Sequence, residues 1–394
     1  MMKTYIKKLI NIVRGMGLYG ILFGLVIFTF GIVNCYKVLD FWVFDRTSYN
    51  EWTVEAGNKV ETDYISNFWG KMQFVNFNGL IRDLLGQHEM NAVVKLNNGY
   101  LVTTHGYVSD DVLKTKAEAL GQLNSYLKEQ SIPMLFAVTP YTSSKYDPEL
   151  PVGIEDYGND NMDRFMKMLE GTDIETIDFR EQMHDDGINQ YDMMFKTDHH
   201  WTTEAGFYAY QNISAWVEKA TGCSTDEKVS DINNYDITVY PKWHLGSRGQ
   251  RTGIYFAGAD DFDLITPKFE TSIVSGDKSG TFEDMVINTK PFKNRIYTSS
   301  YTYDWVLGNS LGNFENPNAE NDIKVLVIGD SMAKAVNPYL ILTYREIRYI
   351  YDGSNPTMNK KIIENYKPDV VILLYYADFI CKDGESRGFD FVLN

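Results

Sequence analysis

The sequence predicts an α/β protein built on a largely parallel sheet with helices on both faces. Three observations predict it. Short apolar runs at Ile132–Val138, Ile323–Ile328 and Asp369–Tyr375 read as strands buried on both sides. Stretches with helical spacing or good helix formers alternate with them, at Asp111–Glu129, Met162–Leu169, Thr203–Ala220, Met332–Tyr344 and Met358–Tyr366. Ile174–Phe179 and Ile347–Tyr351 add two further strands to the alternation, and strand–helix–strand units in series imply right-handed crossovers.

Before this body lies a different kind of sequence. Met16–Val33 is uncharged and apolar, about as long as the minimum needed to cross a bilayer. Lys3, Lys7, Lys8 and Arg14 precede it, so the positive-inside rule puts the N-terminus in the cytoplasm and the body outside. No small-residue cleavage site follows the run, and Asn34 stands where a lipoprotein box wants a small residue. An uncleaved signal anchor is therefore favoured over a removed signal peptide. Residues 1–39 hold the cytoplasmic tip and anchor, 40–90 a juxtamembrane lead-in with some helical spacing over Val60–Gln87, and 91–394 the main domain. Later apolar runs are strand-length, which leaves a single span.

The 394-residue chain carries a net charge of −16, and its first 39 residues are basic, so the body is more acidic still. That argues against nucleic-acid binding, which needs clustered cations. Tyr, Phe and Trp number 27, 22 and 7, a share that suits sugar-facing or interfacial surfaces as well as plain core filling. Three cysteines exclude a disulfide framework or a thiolate metal site; Cys223 and Cys381 could pair outside the cell, though spacing cannot show it. Within the main domain, Asn97-Asn98-Gly99 between two β-rich runs signals a hairpin. Ser230–Gly312, rich in Asn, Asp, Gly and Thr, reads as a large insertion (about 230–312) or a β-subdomain beside the sheet.

The chemistry is concentrated in Thr197-Asp198-His199-His200-Trp201-Thr202. The chain has 6 histidines, and two stand here side by side behind an acid. Asp198-x-His200 on a turn lets a carboxylate accept from one ring nitrogen of His200 while the other faces a nucleophile. His199 diverges from it, because successive side chains point apart, and takes a supporting role beside Trp201. Thr202 or Thr203 can cap the helix that follows. Asp, His and His are also good metal ligands, but adjacent histidines rarely share one ion and His88, His105, His184 and His244 fall in no ligand spacing. No metal and no cofactor is therefore expected.

The nucleophile is expected at Ser331, where Ile323–Ile328 runs through Gly329-Asp330 into a helix. This junction exposes a side chain at the carboxyl edge of a parallel sheet, beside the free N–H groups of a helix start. Gly329 would allow a sharp turn before the serine. The alternative is a serine that only caps a structural helix.

Taken together, TDHHW followed by strand-GDS resembles the DHHW family, a branch of the SGNH-hydrolase-like proteins that includes the alginate O-acetylation proteins. The resemblance covers roughly residues 60–394. It includes NNGYL near Asn98, the segment Val138–Pro151, HLGSRGQRTG (His244–Gly253) and the closing Lys367–Phe379. It implies an SGNH-like fold with the triad in circularly permuted order, serine last. Mapped by motif, Ser331 is the nucleophile, His200 the base and Asp198 its orienter. The usual glycine and asparagine blocks of the oxyanion hole have no clear match, so substitutes are sought among the Ser331 and Met332 backbone N–H groups, Tyr375, Tyr376 and Arg251. The resemblance further implies acyl-ester chemistry, commonly O-acetyl transfer, on an exported polysaccharide. A membrane-bound O-acyltransferase would deliver the acyl group across the bilayer. A carbohydrate esterase using the same triad, teichoic-acid D-alanylation, and a non-catalytic glycan-binding or assembly protein are the alternatives.

Overall fold

The computed structural model describes residues 17–44, 68–293, 301–351, 360–380, 389 and 391. The basic residues ahead of the apolar run, and Cys381 with its possible pairing to Cys223, lie outside them; among the described residues Cys223 forms no disulfide. The chain divides into two compact units, 1–75 and 76–394. In the first, α1 (Leu18–Phe44) carries the apolar run, and its segment Leu18–Tyr36 is long and apolar enough to cross a membrane. A further helix, α2 (Lys71–Leu84), runs across the division between the units and lies within the helical spacing read over Val60–Gln87, whose residues 60–67 lie outside the described ones.

The larger unit opens with β1 (Glu89–Met90), β2 (Val93–Lys95) and β3 (Leu101–Val102), a small antiparallel sheet whose β2–β3 turn is the expected Asn-Asn-Gly hairpin. Then come α3 (Asp110–Glu129), β4 (Met134–Thr139), α4 (Gly158–Leu169), β5 (Glu175–Asp178), α5 (Phe179–Asp185) and α6 (Thr203–Thr221). Asp178 ends β5 and caps α5 by accepting from Arg180 N, so Phe179 starts a helix rather than closing a strand. Thr202 caps α6 by accepting from Ala205 N, and Gly222 ends it in the left-handed region. The chain continues through β6 (Tyr235–His244), α7 (Ser247–Thr252), β7 (Asp260–Pro267), β8 (Ile273–Ser275), β9 (Lys278–Gly280), α8 (Thr302–Leu307) and β10 (Asn313–Glu315). It closes with β11 (Lys324–Gly329), α9 (Asn337–Thr343), β12 (Glu346–Tyr351), α10 (Lys360–Tyr366) and β13 (Val370–Tyr376).

The main sheet has the order β5-β4-β13-β11-β12-β10-β8-β9. Strands β5, β4, β13, β11 and β12 are parallel to their neighbours, while β10, β8 and β9 continue the sheet antiparallel. The expected insertion thus differs from a body set beside the sheet. Among the described residues of the segment, β6 and β7 form a separate two-stranded ribbon, while β8 and β9 join the main sheet's edge. From β11 the chain steps to β12 on one side and returns to β13 on the other. The carboxyl end of β11 is therefore a switch point where the connections diverge, the place open α/β sheets leave a crevice.

Two local details refine the nucleophile's setting. The segment after Ser331 is not one helix: a 3₁₀ turn, Ser331–Ala335, precedes α9, which restarts with Pro338 in its first turn. Gly329 stays in strand geometry, paired with Leu374, and its role is closeness rather than turning. A Cβ there would lie 2.2 Å from the Leu374 carbonyl oxygen.

Candidate active site

The Asp198–His200 segment is the tip of a tight loop. Met194 bridges Trp201, Phe195 N donates to His200 O at 3.2 Å, and Thr202 N donates to Met193 O at 3.0 Å. Half-buried Asp260 clasps the loop from β7: its carboxylate accepts Lys196 N at 2.7 Å and Thr197 N at 2.9 Å, and also the Thr197 hydroxyl. Burial raises the Asp260 carboxyl, and these donors, with His244, pull it back. From α7, Arg248 Nη1 donates to Asp198 O, Leu101 O and Thr142 Oγ1, and Nη2 to the Tyr376 hydroxyl. One buried guanidinium thus ties β3, the end of β4, the loop and the end of β13 together. Its several donors in a fixed fork suit this task as no lysine would.

The three residues expected to act together meet. His200 Nε2 is 2.6 Å from Ser331 Oγ, and His200 Nδ1 is 2.9 Å from Asp198 Oδ2. Because a carboxylate can only accept, Nδ1 carries the proton and Nε2 is left to accept from the serine. His200 and Asp198 are buried while Ser331 is partly exposed, so the relay ends at a hydroxyl that solvent can reach. Tyr303 stacks on His200 with ring centroids 4.0 Å apart, and the Tyr301 hydroxyl lies 3.1 Å from His200 Nδ1.

Burial would raise the Asp198 carboxyl, but the histidines around it hold it well below the usual carboxylate range. His200 moves the same way for a different reason. Burial first, then neighbouring His199, push its imidazolium down to about 3 against the pull of Asp198. The site therefore holds an ionised acid beside a neutral imidazole, the protonation states a serine–histidine relay needs at rest. Asp198, His199 and His200 lie close enough to hold a metal ion, but their hydrogen bonds already use both His200 nitrogens and both Asp198 oxygens.

The remaining candidates divide. His199 packs against His200 in a tilted pair with ring centroids 3.8 Å apart, and its Nδ1 lies 3.0 Å from Ser247 Oγ. Trp201 is fully buried and donates Nε1–H to Met332 O, tying the loop to the serine's turn. Asp330 is buried and turned to backbone: its carboxylate accepts Met332 N at 2.8 Å and Tyr376 N at 2.7 Å, and burial lifts its pKa to about 6. Met332 N–H, sought as an oxyanion donor, is therefore committed to Asp330, whereas Ser331 N–H stands at the first position of the turn, where helix-start N–H groups have no partner within the helix. Tyr376 lies on the site side, its ring 5.8 Å from His199; Tyr375 points into the core among Phe136, Phe379 and Phe389. The structure does not bring Arg251 to the triad. It donates to Asn91 O and Ala92 O, and the arginine beside Asp198 is Arg248. Arg248, Ser247, His244, Asp260, Tyr301 and Tyr303 were not singled out by the sequence; the nearest signal was HLGSRGQRTG, which holds three of them.

With this geometry in place, comparison with known proteins gives a consistent class. Residues 96–232 match the family model described as an SGNH hydrolase-like domain, acetyltransferase AlgX. Two structures of Bacillus cereus PatB1 share the fold. One is 23% identical, covers 76% of this chain and 99% of its own, and gives a TM-score of 0.61. The other, with a sulfonyl adduct, is 21% identical, covers 78% and 99%, and gives 0.60. A DHHW family protein from Eubacterium siraeum is 15% identical over 78% of this chain and 97% of that one, with a TM-score of 0.58. The comparison with curated proteins found no match. The fold is SGNH hydrolase-like, as the resemblance implies. The matched segment contains the DHHW loop, and β11 with Ser331 follows it in the chain.

Proposed function

We propose that this protein is an extracytoplasmic O-acyltransferase that acetylates a cell-surface or secreted polysaccharide through Ser331, His200 and Asp198. The observation that carries the reading is the continuous relay Ser331–His200–Asp198, at 2.6 and 2.9 Å, at a sheet switch point. The SGNH hydrolase-like fold and the acetyltransferase description of the matched family support acyl transfer as the class. Ser331 Oγ attacks the acyl carbonyl as its proton passes to His200 Nε2. The tetrahedral intermediate collapses, the bond to the leaving group breaks, and His200 returns the proton to that group. A sugar hydroxyl then attacks the acyl-serine, giving its proton to His200, and the ester forms as Ser331 recovers its hydrogen. Ser331 N–H would meet the oxyanion.

Acetyl-CoA is a cytoplasmic donor, whereas an anchored body with its N-terminus inside works outside. The acyl group would therefore come from a membrane-bound O-acyltransferase partner, and α1 would keep the body near that partner and the polymer. An aryl acetate offered with and without an acceptor oligosaccharide tests the reading. Acetylated sugar that depends on both the acceptor and Ser331 is expected. Hydrolysis indifferent to every acceptor would make the protein an esterase, and full polymer acetylation by Ser331→Ala cells would make it non-catalytic.

A further inference from the structure

The triad's carboxylate lies within reach of three imidazoles: His199 Nδ1 is 3.0 Å from Oδ1, while His200 and His244 share Oδ2. Asp198 Oδ2 is 2.9 Å from His200 Nδ1 and 3.1 Å from His244 Nε2, while Oδ1 accepts His199 N at 2.8 Å, Ser247 N at 3.1 Å and Ser247 Oγ at 2.9 Å. His244 is the last residue of β6 and is fully buried. Since Asp198 can only accept, His244 donates from Nε2, and its Nδ1 finds no partner among the described residues. The ring is packed against Phe195, with centroids 4.5 Å apart, and stacked at 5.7 Å on Tyr301. The ring thus points its Nε2–H at the triad carboxylate, and Nδ1 faces apolar packing.

We propose that His244 is a positioning residue of the triad: its Nε2–H shares Asp198 Oδ2 with His200, fixing the carboxylate and moderating its pull on the base. The inference rests on the Ser331–His200–Asp198 reading and assigns His244 a role in it. Two ring N–H donors on one oxygen spread the carboxylate's charge, so each hydrogen bond is weaker than a sole one would be. Removing the His244 donor leaves Oδ2 to His200 alone, which favours the imidazolium and raises the pH at which the base becomes free. The other titratable groups around these rings are His199, Tyr301, Tyr303 and Lys334 near His200, and Asp260 and Tyr301 near His244.

Two variants separate donation from packing. His244→Phe fills the ring's space without the hydrogen; His244→Gln can keep a donor while losing the ring. In aryl acetate turnover across pH, His244→Phe is expected to lose on the order of tenfold in kcat/KM, with its acid limb moved to higher pH, while His244→Gln keeps its limb near the wild-type position. A His244→Phe profile that overlays the wild type, with His244→Gln the worse variant, would overturn the proposal in favour of packing. If neither variant folds, ¹⁵N-histidine NMR of the unmodified protein decides: an Nε2–H, Nδ1-bare tautomer for His244 is expected, and an Nδ1–H tautomer overturns it. Absence of Ser331-dependent turnover in the wild type would instead sink the triad reading, so the two failures are distinguishable.

Discussion

At the scale of residues, the relay makes separate demands on its three members. Ser331→Ala removes the nucleophile. Asp198→Asn keeps the volume but offers His200 an amide, which favours the wrong tautomer, and a loss of about 10⁴-fold in kcat is expected from steady-state turnover. The base must be unprotonated to work, and burial with His199 lowers the His200 pKa below its ordinary value, so activity is lost only as pH falls through that lowered value. The kcat/KM profile should therefore stay level between about pH 7 and about pH 6; an acid limb centred at or above ~6.5, the ordinary histidine value, would contradict this. Asp198, His200 and Ser331 were legible in the sequence because the first two sit two residues apart and the third follows a fully apolar strand. The groups that hold them were not. His244, Ser247 and Asp260 arrive from distant positions and different elements, and no periodicity marks a residue that reaches a site by tertiary packing alone.

At the scale of elements, the site depends on a few close approaches. Gly246 leads into α7, and a Cβ there would fall 2.2 Å from Asp198 Cβ. Gly246→Ala must therefore displace either the α7 entrance or the Asp198 loop, and at least a tenfold fall in kcat with a smaller change in KM is expected from single-substrate kinetics. Arg248 and Arg251, three residues apart on and beside the same turn, give a direct contrast. Arg248→Met strands four acceptors in the core, each costing about 1–3 kcal/mol if left unmet, and should lower the melting temperature by several degrees. Arg251→Ala should change turnover little, since its partners are two carbonyls near residue 91. The parallel strands were legible because burial on both faces makes them apolar throughout. Strands β8, β9 and β10 are three residues each, too short for a period to show. The break after Ser331 was written in Pro338, whose ring lacks the N–H that a continuous helix would require, so the segment turns as 3₁₀ and starts again.

At the scale of the whole molecule, an apolar helix precedes a body whose chemistry is proposed to face outward. A reporter fused after residue 394 that is active only outside the cytoplasm should be active here, and a cytoplasm-only reporter should be silent; the opposite pattern would remove the need for an acyl-delivering membrane partner. The parallel-sheet class and the DHHW and GDS motifs were both legible, since they depend on strand-length apolar runs and local sequence. The antiparallel extension of the sheet was not, because its composition reads as loop. The central claim is that Ser331 takes up the acyl group. Brief reaction of the full chain with an aryl acetate at mildly acidic pH, followed by peptide mass mapping, tests it most directly. One acetyl group on the peptide containing Ser331, absent in Ser331→Ala and nearly absent in His200→Ala, is the result predicted. Turnover without any adduct at Ser331, or an adduct that persists undiminished in His200→Ala, would contradict the account.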